Sequence, residues 1–166
     1  MRRAVIALVL VLLTTVSSAA QEFGALARVL PEGSRLEARE DGIEITLGLS
    51  QPVPFRVFTL ADPWRVVVDF REVIWDALPA AFGRDVPGIS SVEAGAAYDP
   101  GWSRMILTLA RPLSPRVAAM ETDPLSGAAQ VRLTLEPVAE ATSRAEAGRP
   151  EGVAGRVAPE GPRPPA

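Results

Sequence analysis

The sequence predicts an all-β protein: a two-sheet antiparallel β-sandwich of about eight short strands, followed by a disordered proline-rich C-terminal tail. Three observations predict it. Apolar residues alternate with period two through most of the stretch from Leu36 to Leu135, whereas no segment carries a long stripe of helical period. Turn residues separate nearly all of the alternating runs, and the chain holds 13 glycines and 16 prolines, a supply that suits many turns. At 166 residues it has room for one such domain and tails, and too little for two cores.

Taken in order, residues 1–20 read as an export signal. Arg2 and Arg3 form a positive start, Ala4–Leu13 is an unbroken apolar run, and Ser18-Ala19-Ala20 offers small residues to a signal peptidase. That run is too short to cross a bilayer about 30 Å thick, so no membrane span is expected after cleavage before Gln21. Adjacent arginines are weak grounds for choosing between the general and twin-arginine export routes. A periplasmic protein is expected.

Residues 21–137 form the expected domain. Leu36–Glu40, then Asp41-Gly42, then alternating Ile43, Ile45, Leu47 and Leu49 predict a hairpin whose turn tolerates positive φ. Phe55–Leu60 is a third strand, ended by Ala61-Asp62-Pro63. Trp64–Phe70 gives the strongest strand signal. Trp64, Val66, Val68 and Phe70 share one face and read as core, while Arg65, Val67 and Asp69 share the other. Asp76–Phe82 has room for a helical turn or two, with Trp75 before it as an edge cover. Val86–Glu93, Arg104–Leu109, Arg116–Met120 and Gln130–Leu135 supply the remaining strands. A faint repeat supports two similar sheets packed face to face: Leu47, Leu49, Pro52, Arg56 and Val57 recur sixty positions later as Leu107, Leu109, Pro112, Arg116 and Val117. Beyond Pro137 no aromatic residue remains, Pro-Glu-Gly appears twice, and the chain ends Pro-Arg-Pro-Pro-Ala. Residues 138–166 therefore predict a disordered linker or tail.

Composition removes most catalytic chemistry. The chain has no histidine and no cysteine, and all seventeen basic residues are arginine. Zinc hydrolases typically use imidazole or thiolate ligands, and nucleophilic hydrolases need a base that is usually histidine or lysine. Paired carboxylates such as Asp69 with Glu72, or Glu37 with Glu40, lack any pattern that sets them across a cleft. Gly95, Gly101 and Gly127 are isolated turn glycines, with no phosphate-cradling loop. The net charge of −3 and the absence of a basic stripe argue against nucleic acid. Binding is expected rather than cutting, with no catalytic residue, metal ligand or cofactor in this chain.

The run Phe58-Thr59-Leu60-Ala61-Asp62-Pro63-Trp64-Arg65-Val66-Val67-Val68-Asp69-Phe70 resembles the hallmark of AMIN domains. Gly88–Val92 and Ser103–Leu109 resemble the later strands of that family, and the likeness covers Leu26–Pro137. AMIN domains precede the catalytic domain of periplasmic N-acetylmuramoyl-L-alanine amidases and also occur in pilus secretins. The resemblance implies a two-sheet sandwich that recruits its enzyme to peptidoglycan, notably at the division septum, in cell wall turnover and daughter-cell separation. It implies zinc only in a catalytic domain that these residues do not contain. Glu93 departs from the family, which often carries a basic residue there.

Eight residues are candidates for contact with the wall or a partner. Arg65, Asp69 and Arg71 lie on the polar face of the strongest strand or just past it. They suit glycan hydroxyls or stem-peptide carboxylates, and equally a solvated cross-strand ion pair worth about 0.2–1 kcal/mol. Arg56 and Arg116 are the repeat-related pair, matching contacts on two sheets or solvent-facing strand ends. Tyr98 and Trp102 sit in an aromatic loop before Arg104, placed either to stack on sugar rings or to plug the open end of the sandwich. Peptidoglycan is the expected partner, with division or envelope proteins as further ones. The competing expectation is a protein-interaction module of an envelope assembly such as a pilus secretin, joined through edge strands.

Overall fold

Period-two alternation becomes nine strands in two packed sheets. A computed structural model describes residues 26–149. The export signal, its cleavage site and residues 150–166 lie outside them. One sheet has five strands in the order β5-β1-β2-β9-β8: β1 (Ala27–Arg39), β2 (Gly42–Leu49), β5 (Val73–Ile74), β8 (Leu113–Thr122) and β9 (Ala129–Pro137). The other has four in the order β3-β4-β7-β6: β3 (Phe55–Leu60), β4 (Arg65–Arg71), β6 (Ile89–Ala96) and β7 (Trp102–Leu109). All pairings are antiparallel except the short β1–β5 contact. The strands' inward residues meet in one core, with Ile45, Leu47 and Leu133 from one sheet facing Val68, Phe70 and Leu107 from the other.

Several local expectations are corrected. β1 starts at Ala27, not Leu36, because Pro31-Glu32-Gly33-Ser34 forms a bulge between Leu30 and Arg35 instead of a turn. The first hairpin turns at Glu40-Asp41, and neither residue has a positive φ. Gly42 is needed for another reason: a Cβ there would collide with the carbonyl oxygen of Leu135 on the neighbouring β9. β6 begins at Ile89, since Val86–Gly88 is a turn. Residues 76–82 form turns closed by isolated i→i+3 bonds, such as Phe82 N–H to Pro79 O, and no helix. Trp64 precedes β4 and is only half-buried, while Phe70 is fully buried.

The repeat corresponds to strand pairs that cross the sandwich in opposite directions. β2 lies in the five-stranded sheet and leads to β3 in the other, whereas β7 and β8 make the reverse crossing. Their leucines are buried alike, but the likeness ends at the arginines: Val57 is core and Val117 is exposed.

The folded body also continues past Pro137, where a disordered segment was expected to begin. Helix α1 (Glu140–Glu146) packs along β3, the edge of the four-stranded sheet. Ser143 is buried, the Arg144 guanidinium lies 4.8 Å from the Trp64 ring centroid, and Gly148 N–H donates to Thr59 O at 2.8 Å. Seven residues are too few for periodicity to reveal a helix, and its stability comes from this docking.

Candidate binding site

Strand register builds the site. On the outer face of the four-stranded sheet, Arg56 on β3 stands opposite Asp69 on β4, and Asp69 stands opposite Arg104 on β7. Alternation on each strand sends these three side chains outward, away from Val57, Val68 and Met105 in the core. One row further, Arg71 stands opposite Trp102; one row back, Phe58, Val67 and Ile106 form an apolar strip.

Asp69 is clamped from both sides. Arg56 Nε and Nη2 each lie 2.8 Å from its Oδ2. Arg104 grips both oxygens, Nε donating to Oδ1 at 2.6 Å and Nη2 to Oδ2 at 2.9 Å, a bidentate arrangement of the strong charge-assisted kind. The two guanidiniums cover the carboxylate so completely that Asp69 is 0 % exposed, while Arg56 and Arg104 keep 39 % and 30 % of their own side-chain surface in solvent. Burial pushes the Asp69 carboxyl pKa up, but the hydrogen bonds and charges of Arg104 and Arg56 together outweigh it and hold the pKa below its ordinary value. Arg104 is raised in turn, chiefly by its hydrogen bond to Asp69. The solvated cross-strand pair allowed by the sequence is thus replaced by a triad of net positive charge in which the carboxylate is buried and the two guanidiniums are partly exposed.

The β6–β7 hairpin completes the site. Its loop closes with Ala97 N–H donating to Trp102 O at 2.9 Å, and Gly101 takes a φ of +75° that a side chain would disfavour. That loop hangs Asp99 beside the triad, where its Oδ2 accepts from Arg56 Nη2 at 3.3 Å. The Trp102 ring lies 4.7 Å from the Arg56 guanidinium carbon and 5.7 Å from that of Arg71. Beneath the site, Ser103 Oγ accepts from Val73 N–H at 3.0 Å and its hydroxyl donates to Val73 O at 2.7 Å, tying β7 to β5 of the other sheet.

Of the eight candidates, the structure brings Arg56, Asp69, Arg71, Trp102 and Arg104 together. Arg65 is two rows away on the same face and donates through Nε to Pro63 O at 3.3 Å. Tyr98 is almost fully exposed at the loop tip. Arg116 is on β8 of the other sheet, paired with Glu136 at 3.1 Å in the open, so the two repeat-related arginines do not present matching contacts. Trp75, expected as an edge cover, packs edge-on against Phe70 with centroids 5.7 Å apart and donates to Gly95 O. Asp99, Phe58 and Ser103 were missed. Phe58 alternates with Val57 and so had to share Arg56's side, whereas nothing local marks Asp99 or Ser103.

Among the described residues, no three acidic, histidine or cysteine side chains come together to hold a metal ion, and no helix is long and apolar enough to cross a membrane. Two packed sheets with a charged, aromatic-flanked outer face define a β-sandwich module. The chain belongs to the AMIN domain family, whose model matches residues 34–136, from the middle of β1 through nearly all of β9. AMIN domains are periplasmic modules of amidases and secretins associated with peptidoglycan or envelope assembly. No curated protein matches the chain significantly.

Proposed function

We propose that this chain is the peptidoglycan-targeting, septum-localising module of a periplasmic N-acetylmuramoyl-L-alanine amidase, exported by its N-terminal signal. The carrying observation is the Arg56–Asp69–Arg104 triad with Trp102 and Arg71 beside it, on the outer face of the four-stranded sheet. Family membership supports the compartment and the wall partner. Cleavage of the amide belongs to a zinc domain elsewhere. The residues here do not fit that metal, since the chain lacks histidine and cysteine and its described carboxylates do not converge, so no catalytic step is assigned to them.

Co-sedimentation of the purified chain with insoluble sacculi tests the proposal. Retention of wild type, and weaker retention of an Arg71→Ala variant, is expected. Failure of the wild type to sediment would overturn it. Release of stem peptide from sacculi by the chain alone would show that the cutting machinery is present after all.

One observation favours the second reading, a protein-interaction module of an envelope assembly such as a pilus secretin. Three of the four sheet edges are guarded: β3 by α1, β8 by Pro115 and a bulge, β5 by its length of two residues. β6 bears a bulge only at its start, between Ile89 and Ser91, and beyond it Ser91–Ala96 pairs regularly, with Trp75 Nε1 donating to Gly95 O and Gly83 lying against Val92. Co-purification of an envelope protein without wall retention would support this reading over the first.

A further inference from the structure

We infer that the ligand group taken by this site is a carboxylate of the peptide stem, and that Asp99 stands in for it when the site is empty; this rests on the wall-binding reading above. Donors are left unspent on this face, whereas its central acceptor is spent. Sugar hydroxyls donate as well as accept, so a glycan site needs acceptors of its own. Asp69 is the acceptor at the centre of this face, and both of its oxygens are consumed by Arg56 and Arg104 with none of its surface left in solvent. What remains open holds more donors than acceptors, the open acceptors including Asp99 and, on β6, Glu93. Arg56 and Arg104 show a third or so of their side chains, and Arg71 is exposed with no ion pair among the described residues. An ionised carboxylate only accepts, and the planar guanidinium fork matches it.

Counted over the whole face, Arg56, Arg65, Arg71 and Arg104 outnumber Asp69, Glu93 and Asp99 by one, within a chain of net charge −3. The chain itself supplies one carboxylate to the spot. Asp99, 58 % exposed on the hairpin loop, reaches Arg56 Nη2 at 3.3 Å, a longer bond than any within the triad. A ligand carboxylate seated between Arg56 and Arg71 over Trp102 displaces that weak contact and gains the unpaired Arg71. Asp99 is then a competitor, and its removal strengthens binding.

Calorimetric titration of the full chain tests this with three probes: the soluble stem tetrapeptide L-Ala–γ-D-Glu–diaminopimelate–D-Ala, the same peptide with its carboxyl groups amidated, and peptide-free glycan strands. The free acid is expected to bind about tenfold more tightly than the amidated peptide, the scale of one charge-assisted pair. Arg71→Ala should weaken the free acid about tenfold without moving the melting temperature, and Asp99→Asn should tighten it about two- to threefold. Equal binding of acid and amide, or weaker binding by Asp99→Asn, overturns the inference. Binding of glycan strands but not of the stem overturns it while leaving the wall-binding reading intact. Failure of all three probes together with failure to sediment with sacculi overturns both.

Discussion

Replacing Asp69 by asparagine keeps the shape of the side chain and deletes the charge that two arginines converge on. One carboxylate oxygen becomes an amide NH2, so at least one guanidinium donor faces another donor. A charged hydrogen bond contributes about 1.5–3 kcal/mol, and removing one partner of a buried ion pair costs about 3–5 kcal/mol. Arg56 and Arg104 retain 39 % and 30 % exposure and can turn toward water, which places the loss at the lower end, about 3 kcal/mol. At about 4 °C per kcal/mol for a domain of this size, the melting temperature should fall by about 12 °C at neutral pH. The pH dependence adds a second check. The folded carboxyl titrates below its ordinary value of 3.8, so its stabilisation is complete above that value and fades as pH falls through it toward the folded pKa. The gap between wild type and Asp69→Asn should therefore be flat from about pH 5 to 8 and narrow below about pH 4. Thermal melts followed by circular dichroism across that range measure both quantities. A gap below about 3 °C at neutral pH, or one that widens in acid, would refute the buried-triad account.

The remaining outcomes follow from single contacts. Arg116→Ala should change stability by less than about 1 kcal/mol by chemical denaturation, because its pair with Glu136 is exposed, whereas Arg56→Ala should cost clearly more. Gly42→Ala should destabilise by about 3 kcal/mol, since the β9 backbone and not a flexible side chain occupies the space of the new Cβ. Ser103→Ala leaves the Val73 N–H buried without its partner and should cost about 1–3 kcal/mol, with faster hydrogen exchange at β5 as the local sign.

Strand existence was legible because burial on one face imposes period two directly on the residues, as in Phe55–Leu60 and Trp102–Leu109. Boundaries were less so. Pro31-Glu32-Gly33-Ser34 has the composition of a turn yet is accommodated as a bulge inside β1, and α1 is held by contacts to Trp64 and Thr59 that lie far away along the chain. The site divided in the same way. Arg56 could be nominated from the repeat, Asp69 and Arg71 from the strongest strand, and Trp102 and Arg104 from the aromatic loop and the strand it leads into, but not their mutual arrangement. Arg116 looked equivalent to Arg56 because the repeat preserves strand pattern, and pattern says nothing about which carboxylate lies opposite.

By itself, the order of residues determined the class of fold, the outward side of the Trp64–Phe70 strand at Asp69 and the lack of imidazole and thiolate chemistry, since all three depend only on side-chain type and spacing. Tertiary structure alone decided that Asp69 is buried, that Arg56 and Arg104 share it across thirteen and thirty-five residues, and that Asp99 reaches the same spot from a loop. The physical reason is register: which residues stand opposite is fixed by sheet order and cross-strand pairing, and a slip of one residue would have turned the triad into the core.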